Sequence, residues 1–145
     1  MFKDIFISLI LPAAVSYITY QVSLKQFKKE KRLEREIICR NKVLDSIYTL
    51  KKFNMYWDNA LRHDRTSPDS SFLAALDVDK EKAWNYLRYE IEFDREYLPS
   101  SLIDSVYAMI SDIENLEIDE SNYMAENGLT SEIISKHLGN IRKRR

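Results

Sequence analysis

Hydrophobic and polar residues alternate in two distinct regimes along this chain. The first is an unbroken run. From Ile5 to Leu24, IFISLILPAAVSYITYQVSL, twenty consecutive residues carry no charge, and ten of them are Ile, Leu, Val or Phe. Wound as a helix at 1.5 Å per residue, the run is about 30 Å long, the hydrocarbon thickness of a bilayer. It predicts an N-terminal transmembrane helix. Ser8, Ser16, Thr19, Gln21 and Ser23 temper its apolarity, and Pro12 bends it or leaves a carbonyl for a neighbour to satisfy. Tyr17 and Tyr20 lie toward the downstream end, where amphipathic rings favour the membrane interface. Two other readings compete. The strictly apolar part is short enough for a buried core helix, and a cleaved signal peptide would have only Ala13-Ala14 as a poor cleavage site.

The second regime is amphipathic. Residues 25–36, KQFKKEKRLERE, have only Phe27 and Leu33 as apolar members and read as a solvated helix continuing the span. Leu33, Ile37, Leu44, Ile47, Leu50, Trp57 and Leu61 then recur at three- and four-residue spacings on one face, with Cys39 beside them as a small apolar filler. The turn formers of HDRTSPDSS predict a stop near Arg62, with Ser67 capping a proline-led start at Pro68. A short helix to Leu76 and a capped restart at Asp77 or Asp79 are expected next, running to Leu98.

That last helix carries two stripes. Trp84, Leu87, Ile91 and Leu98 form one; Tyr86, Tyr89, Phe93 and Tyr97 form the other. Either it is the central helix of a bundle, or the aromatic stripe is reserved for a partner. Pro99 breaks the chain, and Ser100 or Ser101 should cap a helix burying Ile103, Val106, Tyr107, Ile110 and Ile113. ENLEIDESNYMAENG reads as irregular, with Gly128 at a left-handed stop and Thr130 capping a final helix that bears Ile133, Ile134, Leu138 and Ile141. No stretch alternates like a strand. The predicted fold is all-α: an anchor over residues 1–24, a basic stalk over 25–36, a four-helix cytoplasmic domain over 37–141 and a basic tail over 142–145.

Charge sharpens this picture. Residues 1–52 carry a net +6, residues 53–135 a net −12 and the last ten residues a net +5, within an overall charge of −1. Lys25, Lys28, Lys29, Lys31 and Arg32 follow the span closely, whereas Lys3 is alone on its other flank. The positive-inside rule therefore places the body in the cytoplasm and the N-terminus outside. The stalk cations are candidates for anionic headgroups; the plainer reading is a positive-inside flank on an exposed helix. An acidic body repels phosphate backbones and disfavours nucleic acid.

Candidate chemistry is sparse. Two Gly disfavour glycine-rich phosphate loops, and one Cys excludes an intramolecular disulfide or a cysteine zinc site. Asp77-Val-Asp79-Lys-Glu81 opens like a calcium loop, but Lys82 stands where the turn needs Gly and Arg88 where it needs Glu. His63-Asp64 lacks a nucleophile elbow, and His137 reads as a cation at a helix C-terminus. No catalytic residue, cofactor or metal is expected.

The apolar run, KQFKKEKRLERE and the acidic helical body together resemble small single-span inner-membrane proteins of bacteria. Comparable plans occur among the entry-exclusion proteins of conjugative elements and the superinfection-exclusion proteins of prophages. The resemblance spans the whole architecture and carries over no individual residue. It implies a non-enzymatic protein that binds a component of an incoming or resident machine and blocks it. Two functions follow as expectations. One is a tethered binding module whose contact residues are Tyr86, Tyr89, Phe93 and Tyr97, facing a membrane-associated protein partner. The other is a membrane-active effector whose spans self-associate through Ala13, Ala14 and Ser16. Pairing of the stalks into a homo-oligomer stays open.

Overall fold

The computed structural model describes residues 11–62, 70–116 and 126–143. Among these the protein is all-α, with four α-helices and one 3-10 helix: α1 (Leu11–Arg62), α2 (Ser70–Arg88), the 3-10 helix (Glu90–Tyr97), α3 (Ser100–Glu114) and α4 (Glu126–Lys143). The chain divides into two compact units, Met1–Ile37 and Ile38–Arg145.

In the first unit the described part is helical and largely solvent-facing. Leu11, Val15, Ile18 and Val22 are exposed, as are Tyr17, Tyr20 and Phe27. Among the described residues no helix is long and apolar enough to cross a membrane. Residues 5–10 of the uncharged run lie outside them.

The second unit is a helical bundle around one core. Cys39, Val43, Ile47, Leu50 and Phe53 form the buried face of α1 there, at the three- and four-residue spacings a helix needs to keep one side inward. Ser46 and Asn54 share that face without penalty. Their side chains donate to the Lys42 and Leu50 carbonyls, each at 2.8 Å. Leu87 of α2, Val106 and Met109 of α3, and Ile134, Leu138 and Ile141 of α4 complete the core. α3 packs along α4, and the 3-10 helix packs on both α2 and α3. Cys39 is a buried filler, as its place beside the stripe suggests.

Several boundaries differ from the sequence expectation. Leu33 and Ile37 are exposed and do not extend the α1 core face. α2 runs unbroken through Asp77 and Asp79, so neither caps a restart. Burial of Ala83, Tyr86 and Leu87 holds the helix together, whereas these two carboxylates stay solvent-facing and Asp77 pairs with Lys80 at 4.0 Å. α3 is capped by no serine side chain; Pro99 holds the N-cap position and its carbonyl accepts from the Leu102 and Ile103 amides at 2.9 and 3.3 Å. α4 begins at Glu126, so Gly128 and Thr130 are helical rather than stop and cap. A single interior glycine costs a helix only about 1 kcal/mol, which packing of Ile134 and Leu138 offsets. Ser67 and Pro68 lie outside the described residues.

Candidate functional site

The part of the molecule that the sequence misreads most is the segment after Arg88. The α-helical period ends there. The Tyr89 amide still accepts the α pattern, donating to the Asn85 carbonyl at 3.0 Å, and then the chain tightens into eight residues of 3-10 helix. Pro99 fixes the far end, because the residue before a proline is pushed to extended backbone. Leu98 obliges with φ −109° and ψ 139°.

Three residues per turn sort this helix into three ridges. Ile91, Asp94 and Tyr97 form the inner ridge: Ile91 and Asp94 are buried, and Tyr97 packs partly buried against the core. Glu92 and Arg95 form a second ridge and pair at 3.0 Å. Glu90, Phe93 and Glu96 form the third, which faces outward. Phe93 is 83 % exposed there. An eight-residue 3-10 helix is longer than the common three or four residues, although 3-10 turns at the end of an α-helix are themselves frequent.

Side chains pin the segment on two sides. The Tyr86 hydroxyl donates to Asp94 Oδ2 at 3.0 Å in the interior. Burial, reinforced by that carboxylate, pushes the Tyr86 hydroxyl far above its ordinary pKa. Lys42 sits over the Tyr86 ring at 3.9 Å, with its ammonium 3.9 Å from Asp94 and 3.7 Å from Glu90. From the other side, the Tyr107 hydroxyl of α3 donates to Glu92. That bond, followed by the one from Arg95, holds the Glu92 carboxyl below its usual range. Arg88 bridges to Glu114 at 2.7 Å and lies near the Trp84 and Tyr89 rings, so its charge is engaged within the bundle.

The proposed contact stripe Tyr86, Tyr89, Phe93 and Tyr97 is therefore split, which corrects the sequence expectation. Tyr86 is 3 % exposed and belongs to the core, and Tyr97 packs against it. Tyr89 and Phe93 remain at the surface, at 61 % and 83 % exposure. The physical reason is the change of period: at three residues per turn Phe93 aligns with Glu90 and Glu96, no longer with Tyr86 and Tyr97.

Between the α1 and α2 segments of the second unit lies a groove of about 750 Å³. Lys42 and Lys82 line it together with Asp45, Asp79, Glu90 and Tyr86, so it mixes both signs of charge. His137, on α4, is buried, and its Nε2–H donates to Asp112 Oδ2 at 2.8 Å, tying α4 to α3. That hydrogen bond is the main cause that lowers the Asp112 carboxyl below its ordinary value. His63 and Asp64 lie outside the described residues, among which no group of His, Cys, Asp and Glu is arranged to hold a metal.

In the first unit, Lys25, Lys28, Lys29, Lys31 and Arg32 are all exposed. Three- and four-residue spacings put Lys25, Lys28, Lys29 and Arg32 on one side of the helix, with Glu30 and Glu34 on the other. Lys31 lies at the edge, bonded to Glu34 at 2.7 Å, which raises its pKa and lowers that of Glu34. Neither protein-family models nor curated proteins or solved structures give a match to this chain.

Proposed function

We propose that this chain is a membrane-anchored, non-enzymatic interaction protein whose helical domain docks a protein partner through Tyr89 and Phe93. The single observation that carries the docking is Phe93, exposed at 83 % on a segment whose neighbours are bonded to α2 and α3. Burying a phenylalanine against a partner is worth about 1.5–3 kcal/mol, which the folded chain leaves unrealised. Exposed aromatics on a rigid element are the usual anchors of protein interfaces.

Anchoring rests on the uncharged run Ile5–Leu24 and the cations that follow it. In this reading the N-terminus lies outside a bacterial inner membrane and the body in the cytoplasm. Lys25, Lys28, Lys29, Lys31 and Arg32 then sit among anionic headgroups. Tethering raises the local concentration of the body for a membrane-associated partner. Its biological output is exclusion of incoming mobile DNA or phage, by occupying a component of the machinery.

Photo-cross-linking in cells tests the docking. A benzoylphenylalanine placed at position 93 is expected to give a discrete higher-mass adduct. The same group at Phe72, exposed on α2, serves as the control and should give none. An adduct pattern equal at both positions would leave Phe93 without a docking role.

A further inference from the structure

The outward ridge of the 3-10 helix has a spacing as well as a composition. Glu90, Phe93 and Glu96 are each three residues apart, and at about 2.0 Å rise per residue their positions repeat every 6 Å or so. An α-helix repeats at nearly the same distance, since four residues of 1.5 Å rise also span about 6 Å. We propose that the Glu90–Phe93–Glu96 ridge selects a partner helix that carries an apolar side chain flanked, one turn to each side, by Lys or Arg. This inference rests on the docking reading above and specifies the partner's chemistry.

Four further observations bear on it. All three ridge residues are exposed, and Glu90's contact with Lys42 is 3.7 Å long between solvent-facing side chains, a pair of small energetic weight. The cations close in sequence are engaged elsewhere, Arg88 with Glu114 and Arg95 with Glu92, and Lys42 of α1 meets the ridge at Glu90, where a partner cation competes with it. The second unit, residues 38–145, carries nineteen Asp/Glu against fifteen Lys/Arg, a net −4 that favours cationic partners over acidic ones. Fixing of Asp94 by Tyr86 and of Glu92 by Tyr107 presents the ridge already ordered, which lowers the conformational cost of binding.

The test uses the full chain in zwitterionic phosphatidylcholine nanodiscs, labelled with 4-fluorophenylalanine, with the Phe93 resonance identified by Phe93→Leu. Two synthetic helices are titrated, one bearing a central Leu with Lys one turn on either side, the other with Glu in place of Lys. The Lys peptide is expected to move the Phe93 resonance saturably, and the Glu peptide to leave it in place. Glu90→Gln with Glu96→Gln should weaken the Lys peptide by about three- to tenfold, as expected for two rim charge pairs. High salt should weaken it similarly. Equal response to both peptides, or an unchanged titration in the double variant, overturns the assigned chemistry. A concentration-dependent shift with no peptide present overturns it in favour of a second copy of this chain. Phe93 cross-linking in cells reads docking separately, so its persistence beside a failed charge selection would remove only the basic partner.

Discussion

Two aromatic side chains seven residues apart have opposite roles. Tyr86 is a core residue whose hydroxyl satisfies the buried Asp94 carboxylate, and Phe93 contributes to no buried cluster. Tyr86→Phe keeps the ring and deletes the donor, so it should destabilise the fold by about 1–3 kcal/mol. Phe93→Ala, a surface truncation, should stay within about 0.5 kcal/mol of the parent. Leu87→Ala, at a fully buried site, should cost about 2–5 kcal/mol. Urea unfolding of the three variants checks the order. At this scale the core was legible: Ile47, Leu87, Ile91, Val106 and Ile134 stand at the positions that helical periodicity assigns to it. The Tyr86–Asp94 and His137–Asp112 pairs were not, because each depends on packing between elements that no local spacing encodes.

Elements are joined by a few polar ties, and one of them reports on pH. Asp112 of α3 accepts from His137 of α4, which depresses the carboxyl below its ordinary value of 3.8. A depressed folded-state pKa contributes stability above the unfolded value and loses it as pH falls through the folded one. Asp112→Asn should therefore be less stable than the parent near neutrality. The gap between the two unfolding midpoints should begin to close below the pKa of an ordinary aspartate and vanish as the pH falls through the lower folded-state value of Asp112. Thermal denaturation followed by circular dichroism from pH 7 to pH 2 measures the convergence; a constant gap would remove Asp112 as a linked group. The helical character of the described residues and the break at Pro99 were readable from periodicity and proline. The 3-10 helix was hidden, because Tyr86, Tyr89, Phe93 and Tyr97 also fit an α period and nothing local distinguishes the two. Caps at Asp77 and Thr130 were misread for a related reason: local signals yield where neighbouring residues are buried.

For the molecule as a whole, segregation of charge is the organising feature. A basic N-terminal segment, an acidic body and a basic end give one chain two kinds of surface. The apolar face Leu11, Val15, Ile18 and Val22 leads, at the same spacings, into Lys25, Lys29 and Arg32. Parallel pairing of two copies along that face would stack like charges, which disfavours self-association there, whereas Ala13 and Ser16 lie on the opposite side of the helix. In the anchored reading proposed above, anionic headgroups would meet the same face with opposite charge. The tethered plan is a proposal from the sequence; the structure adds the helical bundle that carries Phe93 at its surface. The direct test is alkaline-carbonate extraction of membranes from cells expressing the C-terminally tagged chain, with protease added to spheroplasts. The account predicts a tag that stays in the pellet and resists protease. A tag released into the supernatant, or cleaved from outside, would contradict it.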